Sequence, residues 1–186
     1  MNSGNPQLAN RTGRAFFALW PDQLAARQLH ELAVGLTEKT GGRAMREENL
    51  HLTLAFLGEL PADRLAAACV AAEQVRAPAF RLKLDMLGYW AHNRLLWSGC
   101  TNAGEALTQL SATLSAQLRT AGFVLEKRPF SPHVSLVRNV KLRDDPPRSL
   151  PAVTWQCDRF VLAHSDAVSP GAAYRFLATW PLENQA

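Results

Sequence analysis

The apolar positions of this chain fall alternately into short unbroken runs and into stripes at helical spacing. Ala15-Phe16-Phe17-Ala18-Leu19-Trp20 is an apolar run behind Arg14, stopped by Pro21-Asp22, and it predicts a buried strand. Asp22 suits a helix start, and Ala25, Leu29, Leu32 and Leu36 follow at steps of 4, 3 and 4, a helical stripe that Gly41-Gly42 ends. Residues 50–57 predict the next strand, closed by Gly58. A second helix is expected from Pro61, with Leu65, Ala68, Ala72 and Val75 on one face. Strands around 80–89 and 94–98 flank a turn at Ala91-His92-Asn93. A third helix from about Gly104 carries Leu107, Leu110, Leu114 and Leu118, and Gly122 ends it. The strand at 133–137 follows. Two prolines exclude Asp144-Asp145-Pro146-Pro147 from a central strand and make it a surface loop. Strands near 157–164 and 174–180, parted by the turn-like Ser169-Pro170-Gly171, finish the chain. Strands and helices mix in both halves without strict β-α-β alternation, so the pattern predicts an α+β fold with antiparallel sheets.

One short pattern occurs twice. His51-Leu52-Thr53-Leu54 and His133-Val134-Ser135-Leu136 both read histidine, apolar, hydroxyl, leucine, and each follows a helix that ends at glycine about ten residues earlier. Two copies in equivalent places predict a duplicated, two-lobed domain with a pseudo-twofold axis. On a strand, side chains alternate, so His51 and Thr53 share one face and Leu52, Leu54 and Phe56 the other. His133 and Ser135 share a face in the same way. Two such strands facing each other would set two imidazoles and two hydroxyls around one groove. Imidazole titrates near pH 6.5, so one ring can accept a proton while its partner donates one. In-line displacement at phosphorus asks for a base on one side and an acid on the other, with donors on the non-bridging oxygens. The pairing of hydroxyls with histidines sets 51 and 133 apart from His30, in a helix, His92, in a turn, and His164, near a strand end; these three read as structural or exposed.

Composition narrows the setting. Of 186 residues, 47% are apolar, which excludes a disordered chain. No apolar run approaches the roughly 20 residues of a membrane helix. Residues 1–13 are expected to be a flexible polar tail without the apolar segment of a secretion signal, and 14–182 a single domain. The net charge is +4, from 20 basic and 16 acidic residues, with no basic cluster of the kind that forms a nucleic-acid tail. Cys69, Cys100 and Cys157 are odd in number and scattered, so reduced thiols and a cytoplasmic location are expected. No Cys/His spacing suits zinc.

His51-Leu52-Thr53-Leu54-Ala55-Phe56-Leu57-Gly58 and the segment from Arg128-Pro129-Phe130-Ser131-Pro132 through His133-Val134-Ser135-Leu136-Val137-Arg138 resemble the two signature segments of the two-histidine phosphoesterases, in particular the RNA 2′,3′-cyclic phosphodiesterases historically called 2′-5′ RNA ligases. Phe16-Phe17-Ala18-Leu19-Trp20-Pro21 resembles that family's opening strand, and 174–182 its last. The resemblance implies a bilobal fold with antiparallel sheets lining a central groove and helices outside. It implies that His51 donates a proton to the leaving 3′-oxygen and that His133 activates water, leaving a 2′-phosphate. Thr53 and Ser135 would bind phosphate oxygens, with no metal and no cofactor. The partner implied is an RNA or oligonucleotide ending in a cyclic phosphate, and nothing demands more than a monomer. The family usually has Thr in place of Ser135, so weaker positioning is expected there. It also uses the arginine matching Arg138. Five residues past His133 is an odd step, so Arg138 reaches the groove only if the strand bends. Phe56, at the same offset from His51, is expected in the core. Competing readings are 2′-5′ ligation by the reverse reaction, on the same two histidines, and an RNA-binding module without turnover.

Overall fold

The opening apolar run becomes β1 (Gly13–Leu19), which turns Ala15, Phe17 and Leu19 into the main core and Phe16 and Ala18 to the opposite face. The computed structural model describes residues 13–141, 149–166 and 174–183. Asp22 caps α1 (Gln23–Thr40), its carboxylate accepting the Ala25 amide hydrogen at 2.8 Å. Ala25, Leu29, Ala33 and Leu36 are buried along one face, and the helix stops at Gly41, whose φ of +63° suits a residue without Cβ. β2 (Arg43–Ala44) and β3 (Leu52–Glu59) follow, then α2 (Ala62–Glu73), β4 (Phe80–Trp90) and β5 (Leu95–Gly99). The second half holds α3 (Glu105–Thr120), β6 (His133–Arg138), β7 (Ser149–Cys157), β8 (Arg159–Asp166) and β9 (Tyr174–Pro181).

Most elements fall where the apolar pattern puts them, with four differences. β3 runs through Gly58, which has φ +75°, instead of closing there. β2 has only two residues and exists because it pairs with β6, a tertiary contact that local pattern does not carry. β7 has no counterpart among the expected strands; it contains Pro151 and alternates buried Val153, Trp155 and Cys157 with exposed Ala152 and Gln156. It sits at one end of the sheet, where a proline is tolerated. Gly13, read as tail, opens β1. Residues 1–12, the loop expected at 144–147 and the turn expected at 169–171 lie outside the described residues.

The strands form one antiparallel sheet in the order β7-β4-β5-β6-β3-β1-β8-β9, with β2 on β6. Two four-stranded halves meet at β6 and β3, joined by one residue pair, Leu52 with Val134. β1-α1-β3 and β5-α3-β6 are equivalent strand–helix–strand units, each with its two strands adjacent and antiparallel. The expected duplication is therefore present, with its pseudo-twofold axis at the junction. The three helices pack on one face, where Leu29, Leu65, Leu110 and Leu114 join Leu52, Leu54, Val134 and Leu136 in a single core. The other face curls around a groove. No helix among the described residues is long and apolar enough to cross a membrane.

Candidate active site

The Leu52–Val134 pair is the centre of the site. Both side chains are fully buried under the helices, so their neighbours along each strand point the other way, into the groove. Continuing the antiparallel register by one residue each way sets His51 opposite Ser135 and Thr53 opposite His133. Each imidazole thus faces the hydroxyl of the other motif, and all four side chains are half-buried.

Both histidines are anchored in the same manner. His51 Nδ1 lies 2.8 Å from the carbonyl oxygen of Asn49, and His133 Nδ1 lies 2.8 Å from that of Ser131. A carbonyl only accepts, so each Nδ1–H donates to the residue two positions earlier in the chain, leaving Nε2 as the nitrogen that can take or give a proton.

Regular alternation would turn Arg138 away from the groove and put Phe56 in the core. Neither happens, because each motif strand carries a bulge three residues after its histidine. Ser135 pairs with Trp97 and Val137 with Leu96, so Leu136 is an extra residue in β6. Thr53 pairs with Ala18 and Ala55 with Phe17, so Leu54 is an extra residue in β3. Leu54-Ala55 and Leu136-Val137 are consequently buried in succession, and alternation resumes with the opposite parity. Arg138 emerges exposed on the flank of His51 and Ser135. Phe56 emerges 51% exposed on the flank of His133 and Thr53, which corrects its expected core position.

Aromatic side chains surround both imidazoles, and sequence spacing did not reveal this. The His51 ring stacks on Phe16 and on Trp20, each with its centroid 4.8 Å away, and meets Tyr174 edge-on at 5.0 Å. Trp20 is itself held by its indole N–H, which donates to the Glu48 carbonyl at 3.3 Å. His133 has edge contacts only, with Trp90 at 4.5 Å and Trp97 at 6.1 Å. This enclosure acts on the charged forms. Burial pushes His51 down to about 4 against the opposing effect of the Asn49 hydrogen bond, helped by the positive charges of His133 and Arg138. Burial lowers His133 as well, against its bond to Ser131.

Gly88 and Gly99 make the seat for Trp97. A Cβ on Gly88 would lie 2.0 Å from an atom of the indole ring, and one on Gly99 2.6 Å from it. Gly88→Ala is expected to displace Trp97 and cost about 1–3 kcal/mol in a urea titration. Gly35→Ala, where a Cβ meets nothing within 4 Å on α1, is expected to stabilise by about 0.4–1 kcal/mol. Equal, small effects of both changes would remove the role assigned to Gly88.

Of the remaining histidines only His92 comes near the site, lining a cavity with Thr53 and His133. His30 Nδ1 bonds the Met45 carbonyl at 2.8 Å, His92 is exposed in the turn after β4, and His164 is buried on β8. The three cysteines are free. Burial pushes the Cys100 thiol up to about 11 and Cys69 and Cys157 upward too, which suits none of them as a nucleophile. Among the described residues no three His, Cys, Asp or Glu side chains gather as a metal site requires.

Comparison with known proteins gives the family. Residues 19–97 match the family described as LigT like Phosphoesterase. The RNA 2′,3′-cyclic phosphodiesterase of Escherichia coli K12 is 33% identical over 172 residues, spanning 91% of this chain and 96% of that protein. The chain belongs to the LigT-like phosphoesterases. It is a hydrolase of that family, as the paired motifs imply. The crystal structure of Escherichia coli LigT complexed with 3′-AMP superposes with a TM-score of 0.82 at 31% identity, covering 91% of this chain and 98% of that one. The same protein complexed with phosphate gives a TM-score of 0.80 at 29% identity, covering 94% and 99%. This LigT-like phosphoesterase therefore shares its fold with that relative over 91–94% of its own length.

Proposed function

We propose that this phosphoesterase opens the 2′,3′-cyclic phosphate at an RNA end to leave a 2′-phosphate, by acid–base catalysis on two histidines without a metal. The observation that carries the reading is the junction itself: two backbone-anchored imidazoles, each opposite the other motif's hydroxyl, on one face of one sheet. The name of the Escherichia coli relative supports the substrate class.

In this mechanism His133 Nε2 takes a proton from water as its oxygen attacks phosphorus. The P–O3′ bond breaks, and His51, charged once the anionic phosphate is bound beside it, gives its Nε2 proton to the departing 3′-oxygen. The product is a 2′-phosphomonoester beside a free 3′-hydroxyl, and solvent exchange restores the starting protonation states. Thr53 and Ser135 donate to the non-bridging oxygens, whose charge grows as water adds. Arg138 adds a fixed positive charge on the flank of His51. Residues 14–182 act as one monomeric domain, and the three free cysteines favour a reducing, cytoplasmic setting.

The test is hydrolysis of an RNA oligonucleotide ending in a 2′,3′-cyclic phosphate, with EDTA present and the product phosphate located. Metal-independent release of a 2′-phosphate is expected. Inactivity of the folded wild type, with tight RNA binding, would favour the binding-module reading instead. Arg138→Ala is expected to lower kcat/KM by about 10–100-fold, the scale of a hydrogen bond to a charged group. Unchanged kcat/KM in that variant would leave Arg138 without a role, bulge or no bulge.

A further inference from the structure

The two halves of the duplicated site differ at the residue that faces each histidine. In β1, Ala18 pairs with Thr53 and Leu19 with Leu52, so the next step along the register sets Trp20 opposite His51. In the other half the residue paired with His133 is Gly99. A tryptophan in one half therefore stands where the other has no side chain. Position 99 has no room for one: a Cβ there would lie 2.6 Å from the Trp97 indole and 3.1 Å from the Pro132 carbonyl oxygen.

Trp20 is built into the anchor of His51. Its indole stacks on the imidazole with centroids 4.8 Å apart and planes within 19° of each other. Its N–H donates to the Glu48 carbonyl at 3.3 Å, and the next carbonyl, that of Asn49, accepts from His51 Nδ1 at 2.8 Å. Both carbonyls belong to one 3-10 turn, Glu47–Asn49, so the imidazole and the indole that covers it are tied to the same piece of backbone. The chain entering that turn is fastened by Met45. Its amide donates to the Leu136 carbonyl of β6 at 2.8 Å, and its carbonyl accepts from His30 Nδ1 of α1 at 2.8 Å. The bond at Nδ1 sets which way His51 Nε2 points, and the stacked face sets the plane of the ring. His133 has the bond without the stack. Trp90 and Trp97 lie at 71° and 68° to its ring, and the Trp97 indole N–H has no hydrogen-bond partner among the described residues.

We propose that Trp20 is a positioning residue for His51, which holds the imidazole plane so that Nε2 stays aimed at the departing oxygen and so fits the first histidine, not the second, to be the proton donor. The inference rests on the function proposed above and deepens it, by giving a physical reason for unequal roles in two nearly equivalent motifs. The acid meets an oxygen fixed in the substrate, whereas the base meets a water that can shift to suit it. A misaligned donor is therefore the costlier fault. Covering the ring excludes water, which disfavours the charged imidazole, and the indole face returns part of that cost once the proton is on. The titratable or charged groups that touch or act on the ring are His133 and Arg138 of β6 and Tyr174 of β9; the Glu48 carboxylate is paired with Arg46 at 3.3 Å.

Kinetics and NMR titration of the whole enzyme test it, with far-UV circular dichroism confirming the fold of each variant. Trp20→Ala removes the stack and the bond to Glu48, and Trp20→Phe keeps a stacked face while removing the bond. Trp20→Ala is expected to lower kcat on a 2′,3′-cyclic phosphate about 10–100-fold with KM within about 3-fold, the mark of a misaligned group and not of lost binding. Trp20→Phe is expected to recover kcat to within about 5-fold of wild type. In NMR titrations of the imidazole signals, His51 is expected to titrate about one pH unit higher in Trp20→Ala than in wild type, with His133 moving by less than about 0.3. Should Trp20→Ala not fold, Trp20→Leu, which fills the space without a flat face, takes its place with the same expectations. Unchanged kcat in the folded variant would overturn the proposal, as would a Trp20→Phe enzyme no better than Trp20→Ala, or equal shifts of both histidines. The titrations need no turnover. A wild type that hydrolyses no cyclic phosphate would remove the proposed reaction, and a shift confined to His51 would still leave Trp20 as the residue that holds that ring.

Discussion

His51→Ala and His133→Ala are each expected to reduce cyclic-phosphate hydrolysis by about 10³-fold, and the double variant by scarcely more. General acid–base catalysis contributes about 10²–10⁴-fold per proton transfer, and the transfers here belong to one step. Without the base, the attacking water keeps its proton. Without the acid, the 3′-oxygen must leave as an alkoxide. Either loss alone disables the concerted reaction, so the effects do not multiply, as is usual for residues acting as a unit. The alternative explanation is misfolding, since His51 is packed between Phe16 and Trp20. His51→Gln keeps much of the volume and separates the two. It should retain the fold by circular dichroism and the affinity for a 2′-phosphate product within several fold, while staying inactive. A His51→Gln enzyme with near wild-type turnover would end the two-histidine mechanism for this protein.

Acidification is expected to destabilise the protein through the same residue. Unfolded, His51 titrates near 6.5; folded, burial among aromatic rings holds it near 4, with His133 and Arg138 acting in the same direction. Between those values the unfolded chain binds a proton that the native state excludes. Stability is therefore complete above about pH 6.5 and falls as pH drops toward 4, by on the order of 3 kcal/mol. Urea midpoints at pH 7 and pH 4 measure this. Because carboxylates titrate in the same range, the informative quantity is the difference between wild type and His51→Gln, which lacks the titrating group. Trp20→Ala should shrink the loss by admitting water to the ring. Identical pH dependence in wild type and His51→Gln would show that the aromatic enclosure does not hold His51 neutral. The same electrostatics bear on catalysis. The free enzyme needs one imidazole charged and one neutral, and both lie below their ordinary values. The bell for kcat/KM is thus expected to centre below pH 6.5. The bell for kcat is expected at higher pH, because the bound anionic phosphate raises both groups. Coincident bells, or a rate rising steadily from pH 5 to 9, would count against the pairing.

The three helices were legible because each has a stripe at helical spacing, and α1 and α3 a terminating glycine as well, features that act within a few residues. Asp22 is the clearest case, since its capping bond reaches only three residues along the chain. β7 was not legible. Pro151 argues locally for a loop, and only its place at the sheet's end makes the strand possible. The aromatic enclosure was equally hidden. Phe16, Trp20 and Tyr174 come from two ends of the chain and meet His51 through the pairing of β1 with β3 and β8, and of β8 with β9.

By itself the sequence determined the α+β class, the duplication, and the two imidazole–hydroxyl pairs that share a strand face. Those follow from short-range periodicity, which the chain carries whatever its neighbours do. Tertiary structure decided which residues join the pairs. The extra residues Leu54 and Leu136 are bulges only because β1 and β5 hold the registers on either side of them. A one-residue bulge reverses the parity of the residues that follow it, and that reversal brings Phe56 and Arg138 into the groove.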